Sequence, residues 1–193
     1  SDLSGFNGAK ANQWHPVPLE MASLVAHALA ISQQTNGAFD ITVGPLVDLW
    51  GFGPDPMPVN VPTPFALEEL RPIIGYQLLQ VQQQPPAVLK LSDTAIDLSA
   101  IAKGYGVDAV ALWLEAYELT DYLVEVGGEL RANGLKPDGS PWRIAIETPS
   151  IDARQIYQVV KVSNMAVATS GNYRNYYELE GRRYSHTLDP STL

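Results

Sequence analysis

Ile96-Asp97-Leu98 runs without a break into a helix start, and that junction constrains the fold more than any other stretch of the chain. The trio is of β type, while Val107, Val110, Ala111 and Leu114 recur behind it at helical spacing. Ser99 stands at the changeover as a good N-cap residue. A helix start leaves several amide N–H groups without partners, and its dipole favours anions. With Asp97 ahead of it and Lys103 in its first turn, the junction offers a cradle for a phosphate or diphosphate. The same residues also read as an ordinary capped helix with a solvated lysine, and spacing alone does not separate the two.

Around this junction the chain alternates helical and β-type stretches irregularly. Pro18 to Gln34 reads as a helix with Leu19, Ala22, Val25, Ala26, Leu29 and Ala30 on one apolar face, stopped by Asn36-Gly37. Residues 38–43 read as an extended piece turned by Gly44-Pro45, with a helical turn over Leu46–Trp50. Residues 54–64 are rich in proline and predict an irregular surface crossing. A short helix around Phe65–Leu70 follows, then a hairpin of Tyr76–Gln82 and Val88–Ser92 about Pro85-Pro86. Beyond the junction helix come Tyr122–Val126, Trp142–Glu147, Gln155–Val162 and Met165–Thr169 as strands. Gly127-Gly128 suggests a bulge or a close backbone approach. Tyr173–Leu179 and Arg183–Thr187 bracket Glu180-Gly181 as a second hairpin. Helices inserted among mainly antiparallel strands give an α+β chain with an antiparallel sheet core, not a regularly alternating parallel fold.

Charge narrows the partners. The 193 residues carry a formal net charge of -9 with only 12 Lys and Arg, so no basic stripe exists to meet nucleic-acid phosphates. A small anionic ligand would need local help from a lysine, a helix terminus or a metal. There are no cysteines, which removes disulfides and thiolate metal sites. No stretch approaches the ~18 apolar residues of a membrane span. At 46% hydrophobic residues the chain has enough apolar material for the core of one domain. Ser1–Asn7 lacks the features of a secretory leader, and Tyr184–Leu193 stops after a turn signal with nothing apolar to follow, so both ends read as cut.

Several separated segments together resemble the ApbE family of flavin transferases. They are Ser1–Asn7 (S-x-L-S-x-F-N), Gly37–Thr42 with Gly44–Val47, Leu49–Gly53, Asp97–Tyr105, Val126–Glu129, Ser170–Tyr173 and Ser185–Pro190. Their order over the whole length makes the match specific. The resemblance implies an ApbE-like, T-fold-like architecture across residues 1–193, incomplete at both ends. It further implies transfer of FMN from FAD, with Mg²⁺ at the diphosphate, to a threonine hydroxyl of a partner protein, AMP leaving. Carried over position by position, Ala38, Phe39, Asp40, Asp97 and Lys103 contact the flavin nucleotide. The Ala100 carbonyl binds the metal, and His186 takes the proton of the attacking hydroxyl. Members of the family act at the periplasmic face of the bacterial inner membrane through an N-terminal lipid anchor that lies outside this chain. Their acceptors are flavoprotein subunits of membrane electron-transport complexes. An FAD pyrophosphatase releasing FMN and AMP, or a flavin-binding lipoprotein without turnover, shares the same residues.

Each residue also has a plainer reading. An Ala100 carbonyl free to bind a metal predicts an irregular turn over Ser99–Ala102, with regular helix starting later. Gly104 and Gly106 would let backbone pass close to a ligand. Histidine is the side chain suited to accepting a proton near neutrality, but His186 also reads as a hydrogen-bonding partner of Asp189 or backbone. His15, among proline and tryptophan, reads as a surface residue, and His27 as packed or half-exposed on its helix. Asp40 reads equally as a turn residue, whereas Asp97 in an apolar stretch needs a partner. Trp50, Phe52, Tyr105 and Tyr173 are candidates to flank a flavin or adenine ring, and equally candidates for the core.

Overall fold

Ser1 caps the first helix, α1 (Asp2–Asn7), accepting the Ser4 N–H on its hydroxyl, and Phe6 on that helix is buried. The computed structural model describes residues 1–53, 60–149, 155–172 and 175–193. Two compact units divide the chain, Ser1–Leu98 with Asn175–Leu193, and Ser99–Arg174.

In the first unit β1 (Trp14–Pro16) precedes α2 (Leu19–Gln34), and Ile41–Val43 forms a single 3₁₀ turn leading into α3 (Gly44–Leu49). Thr63 caps α4 (Pro64–Leu70), accepting the Ala66 N–H, with Pro64 at the first helical position where its missing N–H costs nothing. Next come β2 (Leu79–Gln83) and β3 (Pro86–Lys90), joined through Gln84 and a cis Pro85. The sheet order is β1-β3-β2, antiparallel throughout. The helix α2 lies on β2 and β3. Its Met21, Ala22, Val25 and Ala28 are buried, while Leu19 is exposed, so the inward face is rotated from the one expected. Val25 and Val88, both fully buried, contribute roughly 1.5–3 kcal/mol each.

The second unit opens on α5 (Ser99–Ala116), which packs against β4 (Tyr122–Val126) and β5 (Glu129–Asn133). Val107 and Ala111 face inward, but Val110 does not. Arg131 on β5 locks helix to sheet, reaching Asp108 at 3.0 Å and Glu115 at 2.8 Å on α5. The Tyr122 hydroxyl donates to the same Glu115 carboxylate. Burial, helped by that bond, holds the Tyr122 phenol above its ordinary value. Beyond lie β6 (Trp142–Glu147), β7 (Ile156–Val162) and β8 (Met165–Val167). The strand order is β4-β5-β8, with β6-β7 a separate antiparallel pair. The chain then returns to the first unit as the hairpin of β9 (Tyr176–Leu179) and β10 (Arg182–Ser185) about Glu180-Gly181.

The α+β class with antiparallel pairing is as expected, and several local expectations are corrected. Residues 38–40 are irregular and 41–43 are 3₁₀ rather than extended, because Asp40 caps the turn on the Thr42 N–H. Tyr76–Leu78 is also 3₁₀, set by Gly75 at φ 140°, so β2 starts only at Leu79. Ile96–Leu98 is not a strand and joins no sheet among the described residues. Gly127-Gly128 is neither bulge nor interruption; with φ of 57° and 96° it is the two-residue turn of the β4–β5 hairpin. The expected proline-rich crossing falls largely on residues 54–59, and the expected strand start at Tyr173 on residues 173–174, both outside the described residues.

Candidate functional site

Asp40 is only 7% exposed, and both its oxygens are engaged. Oδ1 accepts from the Thr42 N–H at 2.8 Å and its hydroxyl at 2.7 Å, while Oδ2 accepts from the Tyr76 N–H at 2.7 Å. This carboxylate therefore pins the 3₁₀ turn to the loop at Gly75, whose N–H donates to Thr42 Oγ1. Ala38 is exposed and Phe39 half-buried on the preceding turn, which Thr35 holds by accepting the Phe39 N–H at 3.1 Å. Asp97 is brought to the same place: its N–H donates to the Ile41 carbonyl at 2.7 Å, and its Cβ lies beside Gly44. Four of the expected residues are thus one connected structure within the first unit.

His186 follows β10 in that unit, and its Nδ1 contacts the Asn175 carbonyl at 3.1 Å. A carbonyl only accepts, so that bond puts a proton on Nδ1, and in the neutral imidazole Nε2 is then the acceptor nitrogen. Phe52 lies edge-on to the imidazole at 6.4 Å. Asp189 is not the partner; it accepts from the Ser191 hydroxyl and N–H, which hold its carboxyl below the ordinary value. Two of the aromatic candidates pack on the β9–β10 hairpin: Phe52 stacks on Tyr177, which stacks on Tyr184, and Trp50 lies against Tyr184. Tyr105 is partly exposed, and Tyr173 lies outside the described residues. His15 is half-buried rather than superficial, packed edge-on to Phe6, while His27 is exposed.

In the second unit Lys103 crosses the Gly127-Gly128 turn. Its Nζ lies 2.8 Å from Glu129 Oε2 and donates to the Gly127 carbonyl at 3.3 Å. The lysine side chain remains 46% exposed, Glu129 only 16%. A cavity of about 730 Å³ adjoins the turn, lined among others by Gly127, Gly128, Ile144, Ile146, Thr169 and Ser170. That volume suits a small-molecule ligand. Gly104 and Gly106 have open space where a Cβ would stand.

The expected irregular turn over Ser99–Ala102 is absent: α5 takes in Ser99 as its first residue. Ala100-Ile101-Ala102-Lys103 is a run of helix formers, and it extends the helix to the junction itself. In a regular helix the Ala100 carbonyl is committed to the amide four residues on. Among the described residues, no group of three or more His, Cys, Asp or Glu stands together as a metal site. The described residues thus offer no ready-made cage of protein ligands for Mg²⁺.

Two groups that sequence reasoning passed over hold this architecture. Lys90, 2% exposed, donates from Nζ to the carbonyls of Asn7 at 2.8 Å and Thr94 at 3.0 Å, with the Phe6 ring 5.6 Å away. Asn7 in turn ties down Ile96, one residue before Asp97. The only sequence hint was the F-N pair of the first motif.

The profile of the ApbE family matches residues 1–193. The chain belongs to the ApbE family. The FAD:protein FMN transferase of Vibrio cholerae serotype O1 is 45% identical over 192 residues, covering 100% of this chain and 57% of that protein. That of Escherichia coli K12 is 41% identical over 195 residues, covering 100% and 56%. Among solved structures, the apo flavinyl transferase ApbE of Pseudomonas stutzeri superposes with a TM-score of 0.86 at 44% identity, covering 99% of this chain and 58% of that one. The ApbE protein of Thermotoga maritima gives 0.88 at 34%, covering 100% and 62%. This ApbE-family chain therefore spans a little over half the length of the curated relatives it matches.

Proposed function

We propose that this chain carries the FAD-handling part of an FAD:protein FMN transferase. The reading rests on one observation: relatives bearing that name are 41–45% identical along the entire chain. In the first unit Ala38, Phe39, Asp40 and Asp97 contact the flavin nucleotide, Asp40 chiefly by shaping the turn that presents Ala38 and Phe39. In the second, the exposed Lys103 ammonium meets the diphosphate as a point charge. A threonine hydroxyl of the acceptor attacks the phosphorus of the FMN half. The new O–P bond forms as the P–O bond to AMP breaks, and His186 Nε2 accepts the hydroxyl proton. The acceptors are flavoprotein subunits of membrane electron-transport complexes, met at the periplasmic face of the inner membrane. A Mg²⁺ requirement belongs to the proposal and is checked by chelation in the same assay.

The test is to incubate the protein with FAD, Mg²⁺ and an acceptor domain, then weigh the acceptor. A mass gain of one FMN, with AMP released, is expected. Free FMN and AMP with an unmodified acceptor would make the protein a hydrolase, and intact FAD would make it a binder.

A further inference from the structure

We propose that Glu129 is a positioning residue that holds Lys103 where the diphosphate meets it, an inference that rests on the Lys103 role given above. The β4–β5 turn is shaped around this lysine. A Cβ built on Gly127 would lie 2.8 Å from Lys103 Cδ, so the stem of the lysine occupies the space that the glycine leaves. At the tip, Nζ is held from two sides, by the Gly127 carbonyl at 3.3 Å and by Glu129 Oε2 at 2.8 Å. That Oε2 is buried and accepts no hydrogen bond among the described residues, and the Lys103 ammonium is the counter-charge beside it. A lysine has a flexible stem and three rotatable donors, and left alone it samples many placements. One of its donors goes to the Gly127 carbonyl and its charge faces the Glu129 carboxylate, and the half-exposed side chain leaves room for a ligand at the ammonium. Val126-Gly127-Gly128-Glu129 thereby acquires a physical purpose: a backbone carbonyl, a missing side chain and a carboxylate that together fix one cation.

Replacing the carboxylate by a neutral group would change charge and position together, so the deciding variant is Glu129→Asp, which keeps the charge and withdraws it by one methylene. FAD dissociation constants are measured for the parent chain, Glu129→Asp, Lys103→Met and the double variant, with melting curves to establish folding. Glu129→Asp should weaken FAD binding about threefold to tenfold in the parent background, and change it less than about 1.5-fold when Lys103 is already Met. Equal losses in both backgrounds would make Glu129 a structural residue and overturn the proposal, as would no loss in the parent. Unchanged affinity in Lys103→Met would instead remove the lysine from the diphosphate, and with it both readings. Should Glu129→Asp fail to fold, Gly127→Ala, whose methyl presses on the lysine stem, enters the same cycle under the same criteria.

Discussion

The side-chain amide of Asn7 pairs with both backbone groups of Ile96, donating from Nδ2 to its carbonyl at 2.9 Å and accepting its N–H on Oδ1 at 2.9 Å. The side chain does the work of a neighbouring strand, which the Ile96–Leu98 segment otherwise lacks among the described residues. Asn7→Ala leaves a donor and an acceptor unpaired in a partly buried place and should cost roughly 2–3 kcal/mol in urea unfolding. A loss under about 0.5 kcal/mol would show that water takes over both bonds.

Lys90 makes a prediction about alkaline stability. Burial holds its ammonium below the ordinary 10.5, with nearby Asp93 opposing. Between the depressed value and 10.5 the unfolded chain binds more protons than the folded one, so stability rises with pH in that window. The unfolding free energy of the parent relative to Lys90→Met should therefore climb as pH approaches about 10.5, and a flat or falling difference would contradict it. Near neutrality Lys90→Met should itself destabilise by about 2 kcal/mol, since two carbonyls lose their donor.

Asp40 separates a scaffold role from ligand contact. Removing three hydrogen bonds to a buried carboxylate, Asp40→Ala should cost roughly 3 kcal/mol of stability without any ligand present. Loss of FAD affinity at unchanged stability would instead make the carboxylate a direct contact.

Gly106 is interior to α5, with open space at its Cβ position. Gly106→Ala should stabilise the ligand-free protein by about 0.5–1 kcal/mol, read from its melting curve. If the glycine exists to admit ligand, the same variant binds FAD more weakly; unchanged affinity would reduce it to an ordinary helix residue.

His186→Ala should leave FAD affinity within about twofold and slow FMN transfer by about a hundredfold or more, the range of a lost general base. Transfer at the parent rate would remove Nε2 from the reaction.

Helices α2, α4 and α5 and the hairpin at Glu180-Gly181 were legible because capping, 3.6-residue periodicity and turn residues are local signals; the first hairpin was legible too, with its turn at Gln84-Pro85 one residue before the Pro85-Pro86 expected. The 3₁₀ turn after Asp40 was not, since the Asp40 cap that forms it is held in turn by the Tyr76 N–H, 36 positions away. The inward face of α2 was misjudged for a related reason: alanines and leucines surround that helix, and only β2 and β3 choose among them. The motif residues were legible through family likeness, but their parts in the structure were not. Asn7 and Glu129 act on residues 89 and 26 positions away, and nothing in the neighbouring letters records such partners.

The enclosure of Lys90 has a practical consequence. An amine-reactive reagent reaches Lys103 in the native protein and misses Lys90, whose nitrogen is shut in by α1 and the residues after β3. Acylation at Lys90 would then report, residue by residue, the moment the N-terminal helix lifts from the sheet.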